Sequence, residues 1–335
     1  MLGAIDRDRY RVIPIGITRE GAFVLEDDEP AKFALKPERL PEVVDNGTRI
    51  VWPDSAASRE LRVRDAGGER SLGDVDVVFP ILHGRYGEDG TVQGMLELLG
   101  LPYVGAGVLM SALGMDKHAA KSILAAAGVP VVPWLRVTPA DQAGSAQSLH
   151  ARAAELGYPV FVKPSRAGSS VGVSKASDAA ELDAALRTAF EHDSVALVER
   201  AVRGRELECG VLAGVDGGPP RVSAPGEIVV RGREFYDFAA KYLDAPGVEL
   251  ICPATVSDSE WTRMRRIASD AFVALGGEGL ARVDFFLEDG RFYVNELNTM
   301  PGFTPISMFP ACWIASGMSY ADLITDLVES GIRRG

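Results

Sequence analysis

Apolar positions along this chain fall into short blocks separated by turn-forming residues. Residues 11–18, Arg-Val-Ile-Pro-Ile-Gly-Ile-Thr, read as a strand, with Pro14 marking an edge or distorted position. Residues 26–70 are rich in Pro, Asp, Glu and Gly and predict short strands and loops. Residues 75–82 form a near-continuous apolar run, as in a parallel sheet. A loop over 83–90, a helix over 91–99 and a strand over 101–104 follow, an order that predicts an α/β domain over about the first 113 residues. Helical periodicity then marks 115–127, closed by Gly128 with Pro130 beyond, and again 151–156, 178–190, 258–275 and 320–329. Strands are expected at 131–137, 159–163, 195–199, 207–213 and 227–230, with no internal repeat.

The most informative segment is 282–302, where the apolar runs 283–287 and 292–297 flank Glu288-Asp289-Gly290. Polar groups interrupt the runs at Arg282, Asp284, Glu296 and Asn298, and such groups are costly on a buried sheet unless something pairs with them. Asp, Glu and Asn supply hard oxygens of the kind Mg²⁺ shares with phosphates. A two-residue Asp289-Gly290 turn would pair 284 with 295 and send Glu296 to the opposite face from Asp284. A three-residue loop with Gly290 left-handed would put Arg282, Asp284 and Glu296 on one face, and that form is the expected one. The competing reading is a surface hairpin with its charges in water.

Composition narrows the function classes. The 335 residues are 47% hydrophobic and 24% charged, which suits a soluble chain of two or three domains. A net charge of −12 without a basic block argues against nucleic acid or an anionic membrane as partner. Cys209, Cys252 and Cys312 are scattered and fit small buried residues in a reducing cytosol, and four dispersed histidines argue against a histidine zinc site. No apolar run reaches membrane-spanning length, and the first ten residues lack a signal-peptide plan.

Other segments carry chemistry with open alternatives. In 162–173 a lysine, Lys163, ends a strand ahead of Gly168, Ser169, Ser170 and Gly172, whose backbone N–H groups suit phosphate oxygens; an ordinary flexible turn has the same composition. Because the lysine precedes the glycines, this is not a Walker A loop. Gly105-Ala106-Gly107 lacks the third glycine of a dinucleotide fingerprint, since position 110 is Met, and reads as a turn packed before a helix. Glu199 and Glu206 can accept hydrogen bonds from a ribose or an adenine amine, or be solvated surface groups. His83 opens a loop at a strand's C-terminal end, where open α/β sheets bind ligands, while Glu88 and Asp89 can serve simply as helix caps. Residues 233–242, Arg-Glu-Phe-Tyr-Asp-Phe-Ala-Ala-Lys-Tyr, suit either a lid that excludes water or an aromatic packing cluster.

Together the blocks at 83–90, 115–117, 163–172, 235–242 and 282–302 resemble those of the D-alanine:D-alanine ligase family of the ATP-grasp superfamily, in order along nearly the whole chain. The resemblance implies an α/β fold, α+β toward the C-terminus: an N-terminal α/β substrate domain (1–113), a central ATP-grasp domain (114–205) and a C-terminal domain (206–335) with metal site and lid. It implies phosphate contacts from Lys117, Lys163 and Lys241, a flap containing Ser169 and Ser170, adenine at Glu199 and ribose at Glu206. Asp284, Glu296 and Asn298 would hold two Mg²⁺ ions, with Mn²⁺ as a substitute. Arg282 and the backbone near Gly302 would stabilise an oxyanion, and His83, Tyr242, Ser307 and Met308 would contact substrate. Tyr242 after Lys241, with no histidine beyond His192, favours D-alanine over D-lactate as second substrate. A cytoplasmic homodimer serving peptidoglycan synthesis is the matching expectation.

One departure qualifies this. Family members begin with a strand, a Gly-Gly-x-Ser-x-Glu-His loop and a helix, roughly 25–35 residues by typical element lengths, whereas residues 1–10 here resemble the end of that helix. The expectation is a start placed downstream of the true one. The alternatives are a catalytically weak ATP-binding homologue and another ATP-grasp carboxylate–amine ligase; a nicotinamide oxidoreductase is disfavoured by the broken glycine pattern.

Overall fold

The computed structural model describes residues 1–33, 41–230 and 247–335. In chain order the strands are β1 (Ile15–Ile17), β2 (Phe23–Leu25), β3 (Arg49–Val51), β4 (Glu60–Asp65) and β5 (Gly68–Asp74). There follow β6 (Trp134–Val137), β7 (Val160–Pro164), β8 (Ser174–Ala176), β9 (Ala196–Arg200), β10 (Arg205–Leu212), β11 (Arg221–Val222), β12 (Gly226–Val230), β13 (Val248–Ile251), β14 (Leu280–Glu288) and β15 (Arg291–Asn298). The helices are α1 (Thr91–Leu98), α2 (Val108–Met115), α3 (Lys117–Ala126), α4 (Pro139–Gly144), α5 (Ala146–Leu156), α6 (Ala179–Phe190), α7 (Asp258–Ala274), α8 (Met308–Ala315) and α9 (Tyr320–Arg334). They form two compact units, one of Met1–Pro80, Val92–Gly105 and Met318–Gly335, the other of Ile81–Thr91 and Ala106–Gly317.

In the first unit a β1–β2 hairpin and an antiparallel β3-β4-β5 sheet enclose Val24, Ile50, Leu61 and Val63. The expected strands at 75–82 and 101–104 reduce to one parallel bridge, Val78 with Tyr103. Two hydrogen bonds make it, Val78 N–H to Pro102 O and Val104 N–H to Val78 O, both 2.8 Å. Pro80 and Pro102 have no N–H to extend the ladder. Residues 1–10 form successive turns, not a helix end, and Arg9 Nη2 and the Tyr10 hydroxyl both donate to Glu329 Oε1 on α9.

The second unit contains the chemistry. An antiparallel sheet in the order β6-β9-β7-β8 packs on α5 and α6 through Leu149, Ala153, Leu182, Leu186 and Ala189. A second antiparallel sheet runs β13-β12-β10-β14-β15, with β11 beside β10. One face of it buries Leu207, Cys209, Val211, Val283, Phe285, Val294 and Leu297 against Met264, Ile267, Ala268 and Phe272 of α7. A capping box sets the start of α7: Glu260 N–H donates to Ser257 Oγ, and Ser257 N–H to the Glu260 carboxylate.

Helix α8 was not anticipated. It is apolar all round and carries Pro310 in its first turn, a place where the missing N–H costs nothing. It packs on bare backbone, since a Cβ at Gly210 would lie 2.5 Å from Trp313 Nε1 and one at Gly226 would lie 2.1 Å from Met308 Sδ.

The hairpin expectation needs correction. The turn is the two-residue form: Glu288 pairs with Arg291, and Asp289 and Gly290 both have positive φ, 49° and 73°. The register then shifts between Asp284 and Phe285, so that Phe285 faces Val294 while Asp284 faces Glu296. Asn295 is the extra residue of a bulge in the sheet's edge strand. Arg282, Asp284, Glu296 and Asn298 thus share a face after all, through a bulge instead of a longer turn.

Candidate active site

The face of the second sheet opposite α7 carries two rows of side chains. Glu208 on β10, Asp284 on β14 and Glu296 on β15 stand directly opposite one another, and Gly210, Arg282 and Asn298 form the adjacent row. Three carboxylates so placed repel unless cations intervene. Arg282 does so: its Nε and Nη2 donate to Asp284 at 2.6 and 2.7 Å, and Nε lies 3.0 Å from Glu208 Oε2. Asn298 Nδ2 donates to Asp284 Oδ2 at 2.9 Å. Burial works against the buried Arg282 charge, but Asp284 and Glu208 outweigh it and hold the guanidinium above its ordinary range.

A second charge cluster is supplied by α3, β7 and β9. Asp116 caps α3 by accepting from Ala119 N–H, and it also accepts from the Ser165 hydroxyl at the end of β7, tying the two elements together. This places Lys117 Nζ 2.6 Å from Ala167 O and 3.4 Å from Glu296 Oε2. Lys163 Nζ lies 2.9 Å from Glu199 Oε2 and donates to the bulge residue Asn295 at 3.3 Å. One helical turn beyond Lys117, Lys121 is 1% exposed, its ammonium 3.2 Å from Glu199 Oε1 and donating to Val132 O at 3.1 Å. Burial pulls Lys121 down to about 8 despite Glu199. Burial also opposes ionisation of Glu199, but Lys121 and Lys163 together overcome it and hold the carboxyl below its ordinary range. Lys117, Lys121, Lys163 and Arg282 balance Glu199, Glu208, Asp284 and Glu296 one for one.

The loop after β7 has left-handed backbone at Ser169, Ser170 and Gly172, with φ of 54°, 60° and 71°. It is anchored by Arg166, whose N–H and guanidinium both donate to Asp193. Successive N–H groups in such a conformation form a concavity suited to anions. In the loop over 83–90, His83 Nδ1 contacts Met300 O at 3.0 Å, and the Glu88 carboxylate accepts from Gly84 N–H. Burial pushes the Glu88 carboxyl up in spite of that bond. Asp89, not Glu88, is the cap here, accepting from Tyr86 N–H and Thr91 N–H. Ser307 Oγ turns back to Thr304, and the Met308 side chain is buried over Gly226, so the start of α8 offers backbone rather than side chains. Gly302 faces Ser307, and a side chain there would bring its Cβ 3.1 Å from Ser307 Oγ.

The structure therefore brings these residues together in three adjoining groups, Arg282 and Asn298 with Asp284, Lys117 with Glu296, and Lys163 with Glu199 and Asn295. Glu206 lies on β10 opposite Phe286, two residues from Glu208 on the same face. Lys241, Tyr242 and the lid at 233–242 lie outside the described residues. Lys121, Glu208 and Asn295 belong to these groups and were not picked out from sequence.

The oxygens of Asp284, Glu296 and Asn298 suit a hard divalent ion, with the two carboxylates directly opposed. Both Asp284 oxygens meet Arg282, and Glu296 meets Lys117, so an ion held by these residues would have to displace protein cations. Among the described residues no three Asp, Glu, His or Cys groups converge on one point, and the set is two carboxylates and an amide.

The sequence matches the family described as D-ala D-ala ligase N-terminus over residues 1–106 and that described as D-ala D-ala ligase C-terminus over residues 123–329. The chain belongs to the D-alanine:D-alanine ligase family. It is 48% identical over 338 residues to the D-alanine–D-alanine ligase of Arthrobacter sp. (strain FB24), spanning 100% of this chain and 88% of that one. Identity to the ligase of Mycobacterium avium (strain 104) is 49% over 342 residues, again 100% of this chain and 91% of the relative. The solved D-alanine-D-alanine ligase of Coxiella burnetii superposes with a TM-score of 0.82 at 36% identity, covering 99% of this chain and 87% of that one. VanG D-Ala:D-Ser ligase from Enterococcus faecalis gives 0.82 at 33% identity, covering 98% and 92%. The mixed α/β fold and the ligase class expected from the sequence both stand. Among the described residues no helix is long and apolar enough to cross a membrane.

Proposed function

We propose that this chain joins two D-alanine molecules at the expense of ATP, by way of an acyl phosphate. The observation that carries the reading is the network in which Lys117 meets Glu296 and Lys163 meets Glu199 and Asn295, beside the Arg282–Asp284 pair. A carboxylate is a poor electrophile toward an amine in water. One oxygen of the first D-alanine attacks the γ-phosphorus of ATP, ADP leaves, and the resulting acyl phosphate is activated. Lys117 and Lys163, with Lys241, spread charge on the phosphates, and the Ser169–Ser170 turn supplies N–H donors above them. Glu199 and Glu206 accept from adenine and ribose. Asp284, Glu296 and Asn298 would hold two Mg²⁺ ions, which screen phosphate charge when bound. The neutral amine of the second D-alanine then attacks the acyl carbon, Arg282 and the Gly302 backbone stabilise the oxyanion, and phosphate departs with the original carboxylate oxygen, taking up the proton that the nitrogen sheds. The first turn of α8 presents N–H dipoles suited to the second substrate's carboxylate. His83 and Tyr242 complete the substrate contacts.

In this reading residues 1–113, 114–205 and 206–335 are the substrate, central and C-terminal domains, and the protein works as a cytoplasmic homodimer. Phosphate release from MgATP with D-alanine, D-lactate or no acceptor tests it. D-Alanine-dependent release with dipeptide formed is expected; release that ignores D-alanine, or prefers D-lactate, overturns it.

A further inference from the structure

We infer that Glu208 is a positioning residue for Arg282, holding the guanidinium in place while Asp284 turns to a divalent cation. The inference rests on the ligase reading above.

Asp284 faces two demands on the same two oxygens. Both now accept from Arg282, at 2.6 and 2.7 Å. An ion held between Asp284 and Glu296 needs at least one of them. If Asp284 were the only anchor, Arg282 would either hold that oxygen back from the ion or lose its own orientation. Glu208 resolves the conflict. It stands beside Asp284 on the neighbouring strand, outside the proposed ligand set, with Oε2 3.0 Å from Arg282 Nε. It is 5% exposed and lies under α8, whose Cys312 Sγ is 4.0 Å from its backbone oxygen. A carboxylate buried there is costly without a cation, and Arg282 is that cation.

Glu208→Gln tests this, because it keeps the shape and removes the charge. The expected kcat for D-alanine-dependent phosphate release falls about 10- to 100-fold, with the KM for ATP changed less than about twofold. Binding of Mn²⁺ with a non-hydrolysable ATP analogue, read by electron paramagnetic resonance without turnover, weakens as Arg282 reclaims Asp284. Glu208→Asp recovers part of both. In an Arg282→Gln background, Glu208→Gln adds no further loss of kcat. Wild-type kcat together with wild-type Mn²⁺ binding in Glu208→Gln overturns the inference, and so do losses that multiply in the double variant. Should Arg282→Gln fail to fold, the Mn²⁺ titration and the Asp rescue decide. A wild-type protein without D-alanine-dependent release would sink the ligase reading, and the Mn²⁺ comparison would still judge Glu208.

Discussion

Lys121 has its ammonium between Glu199 and the Val132 carbonyl, and this gives it a measurable titration. Its pKa falls from 10.5 to about 8, burial being the largest cause. Between those values the unfolded chain holds a proton that the folded one has lost, so stability rises with pH across that window. The melting temperature of the wild type relative to Lys121→Met is expected to increase from pH 8 toward pH 10; a flat difference would contradict the burial argument. Asp284→Asn removes one of the two carboxylates that hold Arg282 and a charged proposed metal ligand, and phosphate release should fall at least about 100-fold. Asp284, Glu296 and Asn298 were legible because each breaks an apolar strand. Lys121 was not, since a lysine four residues after another on a helix resembles a solvent stripe; its place between Ala120 and Leu124 on the buried side was the signal. Glu208 repeats Glu206 two residues on, a spacing any solvated strand face could show, and only the pairing of β10 with β14 sets it beside Arg282.

The hairpin shows how an element aims its side chains. Its core-facing residues are Phe292, Val294 and then Leu297, and that three-residue gap is the trace of the bulge in the sequence. A three-residue loop would have put the register change in the turn. Asp289-Gly290 satisfies a two-residue turn, so the change falls in the edge strand, where an extra residue costs least. Deleting Asn295 leaves Phe292, Val294 and Leu297 in regular alternation, so the hairpin should still fold with Glu296 on the site face. It should nonetheless bind MgATP more weakly, having lost the Lys163 contact. An unfolded protein, or one with unchanged ATP affinity by calorimetry, would refute this. At α7, Ser257→Ala breaks the capping box and should cost about 1 kcal/mol in a urea melt.

At the scale of the whole molecule, five ordered blocks carried the family assignment, and family matches over residues 1–106 and 123–329 agree with it. Less visible were features that depend on distant partners. The parallel pairing at Val78 shrank to a single bridge, and α8 shows no amphipathic period because its exposed position, Ile314, is as apolar as the buried Met308, Phe309, Cys312 and Trp313. In the proposed reaction the carboxylate of one D-alanine is phosphorylated before the second attacks. Turnover of D-alanine labelled with ¹⁸O at both carboxylate oxygens, with MgATP, distinguishes this order. The acyl phosphate route predicts one ¹⁸O in each phosphate released with dipeptide, detected by mass spectrometry. Dipeptide formed with unlabelled phosphate would contradict it.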